Sequence, residues 1–215
     1  MGWRDDYVPS MKAFRHVVWP APCGLHGIFC YGSKLIDSSE MGASGARQDR
    51  EKGIDAIVEE PNGKKYRIAY RVQFDCDYLT FTIRTERDSY AETELAKRAR
   101  ELQDGELVAD FTAQAYVTGT KDDYKEGRYG QLLSWALVRT ARLYQIISEH
   151  PGVVVARKND PRKGSDTNKF GYVSWASLTL TYGLSADDFV DYVKPKKEIK
   201  GKTQTPPMRF SETGL

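Results

Sequence analysis

The sequence predicts an α/β fold, a mixed central sheet of about four to five strands with flanking helices. Three observations predict it. Stretches dense in β-branched, aromatic and alternating residues follow one another closely at Ile54 to Glu59, Tyr66 to Phe74 and Tyr78 to Thr85. A helical segment, Tyr90 to Gln103, then separates them from a further strand at Ala109 to Thr118. That order gives a meander first, and then a crossover helix that returns the chain as a parallel neighbour.

Each element has its own local signal. Residues 1–36 are aromatic and small, and Pro20 and Pro22 break any long element, so an N-terminal extension or small subdomain is expected there. Asp37 or Ser38 can cap a helix with Glu40 in its first turn, within a polar segment reaching Lys52. Pro61-Asn62-Gly63 is turn chemistry between the first two strands. Asp88 or Ser89 can cap the crossover helix, and Gly105 stops it. From Tyr129 to His150 the chain is apolar nearly all round and reads as one buried helix ended by Pro151-Gly152. Val153 to Arg157 reads as a short buried strand, Phe170 to Leu180 as further aromatic-apolar structure, and Ala186 to Tyr192 as a short acidic helix. Residues 37–193 are thus expected to form the α/β domain, and residues 194–215 a basic flexible tail.

Composition narrows the function classes. The 215 residues suffice for a sizeable core. No apolar run approaches the roughly 20 residues that span a bilayer. The start Met1-Gly2-Trp3-Arg4-Asp5-Asp6 lacks the apolar core of a secretory signal, so a cytoplasmic protein with reduced cysteines and no membrane partner is expected. A net charge of +2 is small for a non-specific nucleic-acid binder, so any basic surface must be local. The local clusters are Arg98 with Arg100, the loop carrying Arg157, Lys158, Arg162 and Lys163, and the Lys194 to Lys202 tail.

The hairpin is the most informative segment. Asp55 opens its first strand, and the second carries Arg71-Val72-Gln73, whose outer members share one face because side chains alternate. Over residues 38–150 this element order resembles the core of the PD-(D/E)xK nuclease superfamily, which includes restriction endonucleases and Holliday-junction resolvases. The resemblance implies a restriction-endonuclease-like fold and a metal-dependent endonuclease that hydrolyses DNA phosphodiester bonds with Mg or Mn. It maps the metal site onto Glu40, Asp55 and the Arg71-Val72-Gln73 triplet. The chain departs from the family pattern twice. Gln73 stands where the family usually has Lys, and Arg71 stands where a second carboxylate belongs; a cation cannot ligate Mg²⁺.

Three readings stay open. The missing ligand comes from Glu40, Asp75 or Glu94; the site is degenerate and only binds nucleic acid or protein; or Asp55 merely caps or pairs at a strand end. In the first reading the metal activates water that Gln73 orients, and Arg71, Arg84 or Lys97 offsets the developing charge. Arg84 lies in line with Thr80 and Thr82, while Phe81 and Ile83 take the other face. DNA is the expected partner, and a homodimer is compatible with the family. A second constellation, His16, Cys23, His26 and Cys30, offers four ligands for zinc, although only the Cys23–His26 gap is diagnostic. Phe170, Tyr172 and Trp175 follow the basic loop and can stack bases or fill the core.

Overall fold

The computed structural model describes residues 3–21, 25, 28–37, 53–85, 92–106, 109–156 and 170–194. The expected helix after Asp37, the basic loop from Arg157 to Lys163 and the tail after Lys194 lie outside them. Helix α1 (Trp3–Ala13) runs into a π-helical turn (Phe14–Val18), which stops before Pro20. Strand β1 (Lys34–Asp37) follows, then β2 (Ala56–Glu59), β3 (Lys65–Phe74), β4 (Thr80–Arg84), α2 (Glu94–Gln103) and β5 (Phe111–Val117). Next come the short α3 (Lys121–Lys125), β6 (Leu132–Arg139) and α4 (Thr140–Glu149). The described chain ends with β7 (Val155–Ala156), β8 (Phe170–Ser174), α5 (Trp175–Leu180) and β9 (Phe189–Val193).

Six strands form a mixed sheet in the order β1-β2-β3-β5-β6-β9. β1, β2 and β3 form an antiparallel meander in which the unexpected β1 takes the place of the expected third strand, and β5 lies parallel to β3 after the α2 crossover, Ile68 facing Phe111 and Phe74 facing Val117. The mixed α/β architecture is therefore as expected, with slightly more strands. Thr93 caps α2 by accepting the Ala96 N–H at 3.2 Å, in place of the expected Asp88 or Ser89. A second, three-stranded sheet has the order β4-β8-β7. The third strand of the reading thus leaves the meander and pairs with β8, Thr82 opposite Tyr172.

Four expectations give way for physical reasons. The segment read as one helix from Tyr129 to His150 is β6 followed by α4. β6 is central and buried on both faces, so its strand shows the continuous apolar run that a buried helix would also show. The expected acidic helix at Ala186 to Tyr192 is β9, because Asp187 and Asp188 sit in the turn before it and Phe189, Val190, Tyr192 and Val193 are strand formers. β7 is exposed rather than buried. Asp37 closes β1 rather than capping a helix, and its buried carboxylate accepts hydrogen bonds from the Tyr7 and Tyr70 hydroxyls at 3.0 and 3.2 Å.

The large sheet separates two cores. On one face Val58, Ile68, Val72, Ala113, Ala115 and Trp135 pack against Ala13, Phe14, Val17 and Val18, so the segment expected as an extension fills this core. Phe14 stacks on Tyr70 with ring centroids 3.9 Å apart. On the other face Tyr116, Ala136 and Val138 meet Phe81, Ile83, Leu143, Ile147, Val173 and Trp175 from the small sheet, α4 and α5.

Candidate functional site

Side chains alternate along β3. Ile68, Tyr70 and Val72 point into the first core, and Arg67, Ala69, Arg71 and Gln73 occupy the opposite parity. In register, Asp55 precedes Ala56, the partner of Ile68, and so falls on the parity of Arg71 and Gln73. By parity, Asp55, Arg71 and Gln73 share one sheet face.

What that face meets is the edge of β4. β4 ends the small sheet, so alternate backbone groups on its outer side have no strand to bond. Side chains from the large sheet and α2 take their place. The Tyr116 hydroxyl donates to Thr80 O at 2.8 Å and lies 3.3 Å from Thr80 N–H. Gln114 Oε1 accepts the Thr82 N–H at 3.3 Å, and an Arg71 guanidinium nitrogen donates to Thr82 O at 3.0 Å. Gln73 Nε2 donates to the Thr82 hydroxyl at 2.7 Å, and Glu94 Oε2 accepts the Arg84 N–H at 3.4 Å. One row of polar side chains thus stitches a strand edge to a sheet face, satisfying backbone groups that burial would otherwise leave costly.

Glu94 is the hub of that row. Its Oε2 pairs with Arg71 at 2.9 Å, and its Oε1 accepts the Tyr144 hydroxyl at 3.2 Å. Burial first, and the Glu94 charge second, push the Tyr144 phenol well above its usual value, so it stays a donor. Beneath α2, Arg98 is buried against Glu101 at 2.6 Å and donates to Gly53 O at 2.8 Å, which anchors the approach to Asp55. Arg98 therefore belongs to the interior rather than to a basic surface. Lys97 is half-buried on α2, and burial, then the neighbouring Arg98, lower its ammonium.

Asp55 has a backbone partner of its own. Its Oδ2 accepts the Tyr70 N–H at 2.8 Å, extending the β2–β3 ladder beyond its last backbone pair. Asp75 lies past the end of β3 at φ +51°, and its Oδ1 accepts the Gly119 N–H at 2.7 Å, so it does not continue the Arg71–Gln73 face. Glu40, Arg157, Lys158, Arg162 and Lys163 lie outside the described residues.

A divalent hard cation needs several oxygen lone pairs aimed into one space. Here Asp55, Asp75 and Glu94 each turn a carboxylate oxygen to a separate donor, and the Arg71 guanidinium is paired with Glu94. Among the described residues no three His, Cys, Asp or Glu are placed to hold a metal. Among the described residues, Asp55, Asp75 and Glu94 therefore do not fit Mg or Mn. Of the zinc candidates, Cys23 and His26 lie outside the described residues. His16 stacks on Tyr129, whereas the Cys30 thiol is raised by its hydrogen bond to Glu60.

Phe170 begins β8 and receives two cations. The Arg71 and Arg84 guanidiniums each lie 5.3 Å from its ring centroid. Tyr172 is half-buried on the same strand, and Trp175 belongs to the core. Sequence reasoning missed Thr82, Gln114, Tyr116 and Tyr144 as partners of the cluster. Gln114 carried a usable signal, as a lone amide within the apolar run Phe111–Val117.

No protein-family model and no curated protein matches the chain. Among solved structures it is similar to the crystal structure of the restriction endonuclease BglI bound to its DNA recognition sequence. Identity is 9%, with 73% of this chain and 70% of that chain covered and a TM-score of 0.31. A superposition that loose places no residue and assigns no activity.

Proposed function

We propose that this domain is a nucleic-acid-binding module on a nuclease-like α/β scaffold, with DNA as its ligand. The observation that carries the reading is the Phe170 ring flanked by Arg71 and Arg84. A ring beside cations combines a stacking surface with phosphate contacts. In sequence, Arg157, Lys158, Arg162 and Lys163 precede β8. Against hydrolysis stands the use made of the motif residues, since Arg71, Gln73 and Glu94 all hydrogen-bond to β4.

Fluorescence anisotropy with duplex and single-stranded DNA at rising salt tests the proposal. Binding should weaken with salt, and Arg84→Gln should weaken it further while reducing the logarithmic salt slope by about one. Absence of binding at low salt, or affinity indifferent to salt, would overturn it.

Metal-dependent DNA hydrolysis is the second reading. Its support is the shared parity of Asp55, Arg71 and Gln73, and it requires Glu40, outside the described residues. It predicts cleavage with Mg²⁺ or Mn²⁺ that Asp55→Ala abolishes. Intact duplex, branched and single-stranded DNA under both metals would end it.

A further inference from the structure

On the far side of the large sheet from Phe170, the π-helical turn carries an exposed imidazole. The turn is closed by Trp19 N–H donating to Phe14 O at 2.8 Å. Its wider winding buries Phe14, Val17 and Val18 while leaving His16 outside. Such turns often mark functional positions. The His16 ring stacks on Tyr129 with centroids 4.7 Å apart and planes 16° from parallel.

The Tyr129 lip is built rather than loose. Gly130 N–H donates to the Tyr124 hydroxyl at 3.1 Å, and that hydroxyl donates to Thr118 O at 3.1 Å. A Cβ on Gly130 would stand 1.9 Å from Thr118 O, so only glycine fits beside Tyr129. Beside this stack lies an open groove of about 450 Å³, within the range of small-ligand sites, lined by His16, Pro20, Tyr129, Gln131, Tyr192 and Lys194 among others.

Among the described residues the lining includes no carboxylate. Lys194 enters it, with its ammonium 2.7 Å from Gln131 Oε1, and Lys12 and Arg15 add positive charge around His16. Burial, then those two cations, lower the imidazole below its usual value, which keeps the stacked ring neutral near pH 7. A neutral aromatic wall, an apolar floor and a surrounding positive field suit a planar ring that carries an anion.

We propose that this groove binds a phosphate-bearing nucleobase, stacked on the His16–Tyr129 pair with its phosphate toward Lys194. The source is a free nucleotide or an unpaired strand end, which present the same chemistry. The site does not depend on the DNA-binding reading for Phe170, and either can fail alone.

Titration of the full chain with adenosine 5′-monophosphate, adenosine and a short single-stranded oligo(dA), followed by NMR at the His16 ring protons, tests it. Saturable shifts with the monophosphate are expected. Tyr129→Ala should weaken binding about tenfold or more, the size of a lost base–aromatic stack. Tyr129→Phe should retain affinity, and its unchanged thermal midpoint guards against a folding defect. Lys194→Met should weaken the monophosphate and leave adenosine unaffected. Oligo(dA) binding much tighter than the monophosphate identifies a strand as the source, and equal affinity identifies a free nucleotide. No saturation by any probe at millimolar concentration, or Tyr129→Ala binding as well as the parent, would overturn the proposal.

Discussion

On one face of the large sheet, Ile68, Val72, Ala113 and Ala115 meet Phe14, Val17 and Val18, side chains without polar atoms. One residue along each strand, on the other face, Arg71, Gln73, Gln114 and Tyr116 meet the edge of β4 through hydrogen bonds. The first contact draws its stability from area removed from water and has no preferred direction. The second depends on direction and distance, so it selects one placement of β4 over its neighbours. A sliding error of one residue along β4 would reverse which side chains face the sheet. Polar residues on a sheet face therefore need not indicate catalysis; they can serve as the partner that an edge strand lacks.

The largest loss of stability is expected on the apolar face. Phe14→Ala removes a buried ring stacked on Tyr70 and should cost about 3–5 kcal/mol in urea denaturation. A loss near 1 kcal/mol would mean that α1 and the π-helical turn are peripheral to the fold.

Acid should act on the polar parity and spare the apolar one. At the start of the β3–β5 pairing, Arg67 grips Asp110 through two 3.0 Å hydrogen bonds while its backbone N–H adds a third at 2.7 Å. Burial pushes the Asp110 carboxyl up, but the Arg67 hydrogen bonds and charge outweigh it and leave the group below its usual value. A depressed carboxylate contributes fully above its unfolded value of about 4 and ceases to contribute as pH falls through the lower folded value. Stability should therefore drop below about pH 4, and Arg67→Ala should flatten that part of the profile. An unchanged profile in Arg67→Ala would remove this pair from the register argument.

The smallest effect is expected at Gln114. Its Oε1 accepts from Thr82, yet the buried Nε2 has no partner among the described residues. Gln114→Met loses one weak bond and also removes a stranded donor, so stability should change by less than about 1 kcal/mol. A larger loss would show that the amide holds more of β4 than the geometry indicates.

Much of the frame was legible in the sequence because local signals suffice for it. Alternation placed β2, β3, β4 and β5 within a few residues of their ends, and the crossover rule gave a parallel neighbour for β5 without saying that it is β3. β6 was misread because burial on both faces erases alternation, leaving length and β-branching as weak arbiters between strand and helix. β9 was misread because Asp187 and Asp188 imitate a helix start. The site was half legible. Arg71 pairs with Glu94, Gln73 bonds Thr82, and Arg84 joins them through its backbone N–H. Their role was not legible, since it depends on Thr82 leaving the meander for the small sheet, a tertiary choice that no local pattern encodes.

The residues resembling a metal site hold β4 in place. A double-mutant cycle of Arg71→Ala and Glu94→Ala in urea denaturation tests it most directly, because the pair is three-quarters buried or nearly so and bonded at 2.9 Å. The stitch predicts a favourable coupling of about 1–3 kcal/mol, with both single variants destabilised. Coupling within about 0.3 kcal/mol of zero, with both single variants as stable as the parent, would contradict it.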